Sequence, residues 1–191
     1  YHQATAPDRR RAHRALATVH TGDRRAWHLA DAAVGFDEEA AQALQAAGAA
    51  AAARRGYAEA AAAYERAAEL SADPDRRARQ LRRASNLLIT TGHFDRALAA
   101  IDTILGLETP LAQDPRLFHT RGMLLIGTGE FDVGFAIVKQ LAEASVTMSD
   151  PGTAAFLLAD TAMAALIRGD CAESFTIARH AASVLGDGGE P

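Results

Sequence analysis

The fold is decided by the stretch LRRASNLLITTGHFDRALAAIDTI, residues Leu81 to Ile104. Apolar and small side chains recur at the helical spacing on both sides of Gly92. Glycine there gives the backbone the freedom that a tight turn after a helix requires. We therefore predict two amphipathic helices joined at Gly92. One pair cannot bury the apolar stripes of both helices, so further helix pairs are expected to pack against it.

The same pattern returns on both sides of this stretch. Phe94 lies 37 residues after Tyr57 and 37 residues before Phe131, and a weaker copy of the pattern runs from Leu158 to Cys171, which lies 40 residues after Phe131. The first helix of each copy has a small residue near its middle, which lets two helices approach closely. These small residues are Gly48, Ser85, Gly122 and Ala162. Repeats of this length predict helix–turn–helix units of a solenoid.

The predicted fold class is all-α, a right-handed helical-repeat solenoid of about five antiparallel helix pairs. Gly92 and Gly129 are expected at turns, with Phe94 and Phe131 buried between successive pairs. Asp-Pro steps are suited to helix starts, and the polar, Gly-rich end of the chain is predicted to be a flexible tail. We predict one repeat domain over residues 1–185, with helix pairs near 9–34, 37–70, 75–105, 114–145 and 151–185 and the tail at 186–191.

Composition excludes several functional classes. The net charge of −4 argues against a dedicated nucleic-acid-binding domain. One cysteine cannot form an internal disulfide, which fits a reducing compartment. No apolar run approaches the roughly 18 residues of a membrane span. We expect a cytoplasmic location without membrane or direct nucleic-acid contact, and a first residue of Tyr1 suggests a fragment of a longer polypeptide.

The step Gly92-His93-Phe94-Asp95-Arg96-Ala97, with leucine and small residues upstream, resembles a tetratricopeptide repeat (TPR). The resemblance implies a TPR-like solenoid. The chain departs from the TPR pattern at two glycines, and the proline usual after the second helix is displaced or absent. Gly56 directly precedes Tyr57, and Gly134 stands where the pattern has alanine.

A narrower resemblance covers roughly residues 1–110. The strings RRRAHRALA (residues 9–17) and DRRAWHLA (residues 23–30) are similar to actinobacterial LuxR-family regulators of the large ATP-binding, MalT-like kind. The resemblance implies a non-catalytic repeat region between an NTPase module and a helix-turn-helix. Its partners would be those two domains and a small-molecule inducer or a protein. The alternative is a free-standing TPR adaptor that binds an acidic peptide.

No strong catalytic or cofactor motif is present, so we predict no enzyme activity and no cofactor. His13 and His20 share one helical face and His28 lies in the next helix, but no nearby Asp or Cys is forced into reach, so no metal site is predicted. Cys171 is expected to be a small buried hydrophobe. Trp27 is expected to anchor helix packing.

The arginine run from Arg76 to Arg83 has two interpretations. A solvated helix face is the usual fate of such a run. Alternatively, first helices line the concave surface of a helix-pair solenoid, where arginine and asparagine could hold a carboxylate. TPR domains that grip C-terminal carboxylates use a basic residue and an asparagine at the offsets of Arg82 and Asn86. The candidate ligand- or peptide-binding residues are Arg79, Arg82, Asn86, Thr90, Arg116, His119 and Met123.

Overall fold

The computed structural model describes residues 5–186, and every regular element in that range is helical. The predicted all-α class is therefore confirmed for these residues. The helices are α1 (Ala6–Val19), α2 (Gly22–Ala32), α3 (Glu38–Ala53), α4 (Tyr57–Leu70), α5 (Pro74–Thr90), α6 (Phe94–Leu105), α7 (Pro115–Gly127), α8 (Phe131–Met148), α9 (Pro151–Arg168) and α10 (Cys171–Gly186), with a 3₁₀ turn at Pro110–Gln113. Of the predicted tail, residues 187–191 lie outside the described range.

Aspartates begin the helices where the sequence predicted starts. The side chains of Asp73, Asp114 and Asp150 each accept a hydrogen bond from a backbone N–H in the first turn of the following helix, and proline follows each of them. Proline suits this position because the first N–H groups of a helix have no partner within it. Asp37 caps α3 in the same way. No helix of residues 5–186 is long and apolar enough to cross a membrane.

Left-handed residues end the first helix of several pairs. Gly92 and Gly129 have φ values of 76° and 99°, which confirms their predicted places at turns. Between α3 and α4 the left-handed residue is Arg55, with φ of 62°, whereas the φ of Gly56 is negative. Arg55 therefore takes the place that glycine takes elsewhere, two residues before the second helix. This shift accounts for the departure at Gly56-Tyr57.

The predicted burial of Phe94 and Phe131 is wrong. Their exposed fractions are 38% and 41%, because each is the first residue of its helix and lies beside the turn. Cys171 occupies the same place at the start of α10 and is also exposed, contrary to prediction. Trp27 is partly exposed as well. The repeat alignment rests instead on the turn glycines and on the residues deeper in each helix.

A close contact between α7 and α8 confirms the packing role predicted for Gly122. A Cβ atom at Gly122 would lie 2.6 Å from Cγ1 of Val138 and 3.0 Å from the carbonyl oxygen of Gly134. A Cβ atom at Gly134 would lie 2.5 Å from the carbonyl oxygen of Gly122 and 2.9 Å from the backbone nitrogen of Ile126. The two glycines face each other, so the glycine at 134 that departs from the TPR pattern belongs to this backbone contact.

The chain divides into two compact units, residues 5–113 and 114–186. The core of the first is rich in alanine and includes Leu44, Tyr64 and Leu70. The core of the second is built around Phe135, Val138 and Leu158. Each unit thus has its own buried apolar clusters.

Candidate functional site

The second unit contains a cleft of about 840 Å³ where α7 begins, α8 ends and α9 begins. Its lining mixes apolar side chains with a few polar ones, which is the usual character of a binding pocket. The apolar members are Pro115, Leu141, Ala144, Met148, Phe156 and Leu157, and the others are Asp114, Arg116, His119, Thr120, Ser145, Ser149, Asp150, Gly152 and Thr153.

Helix caps fix the polar rim of the cleft. Asp114 Oδ1 accepts a hydrogen bond of 2.9 Å from the backbone N–H of Arg116. Asp150 Oδ1 accepts one of 2.9 Å from the backbone N–H of Thr153, whose hydroxyl donates to Asp150 Oδ2 at 2.6 Å. The Thr153 hydroxyl, followed by the backbone N–H, lowers the pKa of Asp150, so this carboxylate stays ionised. The side chain of Arg116 remains exposed beside these caps.

His119 lies deeper in the wall of the cleft. Its side chain is 13% exposed, and its Nε2 lies 3.3 Å from Asp160 Oδ2 without the geometry of a hydrogen bond. Burial lowers the pKa of His119, and the charge of Asp160 opposes that effect only in part. The imidazole is therefore neutral at neutral pH. Its ring lies 6.3 Å from the ring of Phe156, measured between centroids.

Phe156 and Met148 provide the accessible apolar surface of the cleft. Phe156 is 60% exposed, and Met148 is more exposed still. Sequence reasoning missed both, although Phe156 carries a signal. The buried stripe of α9 contains Ala155, Leu158 and Ala162, and Phe156 lies off that stripe at helical spacing. An aromatic residue on the solvent side of a helix is a candidate contact residue.

The structure brings two of the predicted site residues together in this cleft, namely Arg116 and His119. Met123, one turn further along α7, packs against the buried cluster that contains Ile126 and Phe135. Met123 is therefore a partly buried core residue, and the cleft is built without it.

The other predicted site residues lie on α5 of the first unit. Arg79, Asn86 and Thr90 are exposed, and Arg82 is half-buried. The hydroxyl of Thr90 donates a hydrogen bond of 2.8 Å to the backbone carbonyl of Asn86. That these residues and those of α7 contribute to one binding surface stays a prediction.

Neighbouring arginines of α5 have structural partners within the first unit. Arg76 forms an ion pair with Glu38. The guanidinium of Arg83 lies 5.6 Å from the centroid of the Tyr64 ring, within the range of a cation–π contact. Arg77 lines a shallow cleft between α4 and α6, beside the ion pair of Arg96 and Glu65. Arg76 and Arg83 therefore secure α5 to its neighbours, so a solvated face does not describe the whole run.

Comparisons with solved structures show what this arrangement of helices is similar to. YrrB, described as a TPR protein with an unusual peptide-binding site, superposes with a TM-score of 0.61 and 17% identity, over 96% of this chain and 88% of YrrB. TPR-like repeats of a putative kinesin light chain from Podosopora anserina give 0.67 and 11%, over 96% of each chain. MamA from Desulfovibrio magneticus RS-1, residues 41 to the end, gives 0.62 and 10%, over 97% of this chain and 100% of that one.

The fold of this chain is TPR-like. Similarity at 10–17% identity establishes the fold and nothing more about function. No family model matches the sequence. No curated protein matches it either.

Proposed function

We propose that this chain is the partner-binding repeat region of a LuxR-type transcriptional regulator. In this proposal it has no catalytic role and couples an inducer or protein partner to the NTPase and DNA-binding domains of the same regulator. The strings RRRAHRALA and DRRAWHLA support the regulator context. The TPR-like helix pairs support a binding role, and YrrB, one of the similar structures, is described as having a peptide-binding site.

The observation that carries the binding role is the 840 Å³ cleft of the second unit. Phe156 and Met148 offer exposed apolar surface, and removal of such surface from water is the main driving force of association. Arg116 contributes a positive charge to the lining, and Asp114 and Asp150 contribute negative charges. We therefore propose that an apolar side chain of the partner fills the cleft, while Arg116 contacts a polar or acidic neighbour at the rim.

The mechanism proposed for such a region is a shift between two arrangements of neighbouring domains. A partner or inducer changes that equilibrium only if it binds one arrangement more tightly than the other. The repeat region would then restrain the NTPase in one arrangement and release it in the other. Coupling of this kind typically amounts to about 1–3 kcal/mol.

A pair of matched variants tests the role of the cleft. Phe156 is 60% exposed in the cleft, and Phe175 is 65% exposed on α10 of the same unit, outside the cleft lining. The repeat region is titrated with the NTPase module of its own regulator by calorimetry. We expect Phe156→Ala to weaken binding by at least about tenfold, as removal of a central aromatic contact does, and Phe175→Ala to leave it unchanged. Equal affinities for both variants and the parent would reject the cleft as the binding site.

The open reading frame that encodes the chain tests the regulator context. We expect a phosphate-binding loop upstream and a helix-turn-helix downstream. A reading frame that lacks both modules would reject the regulator and leave the adaptor.

The adaptor alternative is favoured by the charge of α5. Arg79, Arg82 and Asn86 follow the helical spacing of one face, and they suit an acidic C-terminal peptide. Binding of such a peptide should weaken with salt, because exposed charges are screened over about 8–10 Å at ordinary ionic strength. We expect Arg82→Ala to lose affinity for an acidic peptide library and Arg77→Ala to keep it. Equal binding by the parent protein, Arg82→Ala and Arg77→Ala at two salt concentrations would reject this alternative.

A further inference from the structure

Helices α1 and α2 bring two histidines and an aspartate together. Nδ1 of His13 lies 3.1 Å from Nδ1 of His28 and 3.4 Å from Oδ2 of Asp31. All three ligand atoms lie within 4.8 Å of one another. The spacing of these histidines along the chain forces no nearby Asp or Cys into reach. Asp31 is within reach because it follows His28 by three residues, which places both on the side of α2 that faces His13.

The two separations from Nδ1 of His13 match those between ligands of one metal ion. Zinc takes nitrogen and carboxylate oxygen at about 2.0–2.2 Å, with a tetrahedral arrangement. Two ligands at that radius and the tetrahedral angle are about 3.3 Å apart. The distances from His13 to its two neighbours bracket that value. The donor types are also suitable, because imidazole and carboxylate are common zinc ligands.

The single proton that Nδ1 of His13 can carry serves only one of its two neighbours at a time. Each neutral imidazole carries one N–H, and Nδ1 of His13 has both Nδ1 of His28 and Oδ2 of Asp31 within 3.4 Å. If His13 donates to one of them, the other has no proton from His13. A cation at the centre would accept a lone pair from all three atoms at once.

We propose that His13, His28 and Asp31 form a binding site for a divalent transition-metal ion of the zinc type. The side chain of His13 is 14% exposed and that of Asp31 is 52% exposed. The ion would therefore be reached from the Asp31 side, and water would complete its coordination. The ring of His20 lies 5.1 Å from the ring of His28, between centroids, and Nδ1 of His20 lies 2.9 Å from the Leu16 carbonyl oxygen, so His20 supports the orientation of His28.

The site would fasten the first helix to the rest of its unit. Ala17 is the buried residue of α1, while Leu16 and Val19 are exposed. Little apolar surface therefore holds α1 against α2. An ion bound by one ligand from α1 and two from α2 links the helices directly, and metal binding to the folded state alone stabilises that state by mass action.

Zinc binding to the full chain tests this proposal. The chain is prepared without a histidine tag, stripped with a chelator and titrated with zinc chloride by calorimetry. Cobalt(II), which absorbs visibly in tetrahedral sites, serves as a spectroscopic substitute. Trp27 is the one tryptophan of the sequence and directly precedes His28, so its fluorescence reports on the site. We expect one ion per chain, a higher melting temperature with zinc, and quenching of Trp27 by cobalt.

Four variants separate this site from other histidines. His28→Gln and Asp31→Asn should each weaken zinc binding by at least about tenfold, since even loss of an outer-shell partner costs that much. His93→Gln, at the exposed turn before α6, should bind as the parent does, and so should His2→Gln. Circular dichroism confirms that each variant is folded. Binding that is unaffected by His28→Gln and Asp31→Asn, binding lost with His2→Gln, or no binding below about 100 μM would overturn the proposal.

Discussion

At the scale of single residues, Arg55 is the clearest exception to the local rules. Its φ of 62° lies in the left-handed region, which costs a residue with a Cβ about 1–2 kcal/mol. Its side chain is exposed. We therefore expect Arg55→Gly to stabilise the protein by about 1 kcal/mol, net of the greater flexibility of glycine in the unfolded chain. Urea denaturation measures the change. The control is Arg54→Gly, which should destabilise, because Arg54 has a negative φ and pairs with Asp23.

His119 predicts a dependence of stability on pH. Burial lowers its pKa in the folded chain, so the unfolded chain takes up the proton first as the pH falls. Stability should therefore be fully present above the ordinary histidine pKa of about 6.5 and should fall as the pH drops below it. At pH 5.5 this single group accounts for at most about 1.4 kcal/mol.

Denaturation of His119→Gln at pH 7.5 and 5.5 checks this expectation. The variant should lose less stability between the two pH values than the parent. Asp160→Asn should extend the loss to lower pH, because the charge of Asp160 raises the pKa of His119. An equal loss in the parent and in His119→Gln would show that other groups produce the acid sensitivity.

At the scale of helices, helix propensity and close packing have opposite effects on a substitution at Gly134. Alanine is the better helix former by nearly 1 kcal/mol, but its Cβ would lie 2.5 Å from the carbonyl oxygen of Gly122. Backbone atoms cannot move aside as a flexible side chain can, so we expect Gly134→Ala to destabilise by about 1–3 kcal/mol. Gly127→Ala is the control, because nothing lies within 4 Å of a Cβ there. Thermal unfolding compares the two, and a higher melting temperature for Gly134→Ala would contradict the close helix contact.

The helices were predictable because their signals are local. Asp73-Pro74, Asp114-Pro115 and the glycines at 92 and 129 act through a few neighbouring backbone groups. The exposure of Phe94 could not be predicted from the spacing alone. It depends on how far the contact with the neighbouring pair extends toward the turn. The spacing predicted the apolar stripe of the helix correctly but wrongly included Phe94 at its start.

In the candidate sites, residues on one helix were predictable from the sequence, whereas contacts between different helices were not. Arg116 and His119 were predicted from their place on one helix, and both line the cleft. Phe156 comes from another helix, and Asp31 meets His13 across a helix pair. Such meetings depend on how each helix is rotated about its own axis against its neighbour. Periodicity predicts that rotation only within about one residue, and one residue corresponds to about 100° around the helix.

At the scale of the whole molecule, the two compact units predict a place where the chain can be divided. In helical repeats each pair contacts chiefly its neighbours, so stability is close to a sum of local terms. The first unit has buried clusters around Leu44 and Tyr64, and the second around Val138 and Leu158. We therefore expect fragments 1–113 and 114–191 each to be helical and to unfold cooperatively when expressed alone. Far-ultraviolet circular dichroism during heating measures both properties.

A second division provides the control for this prediction. Cutting after Gly92 separates α5 from α6, so that Leu88 is parted from Ile101 and Ile104, all of which are buried in the first unit. Fragment 1–92 should melt at a lower temperature than fragment 1–113, because it exposes the apolar stripe of α5 that α6 covers. Fragment 114–191 keeps Asp114, whose side chain caps α7, and so retains its first helix start. Equal melting of 1–92 and 1–113, or an unfolded 114–191, would show that the division of the core at residue 113 has no energetic meaning.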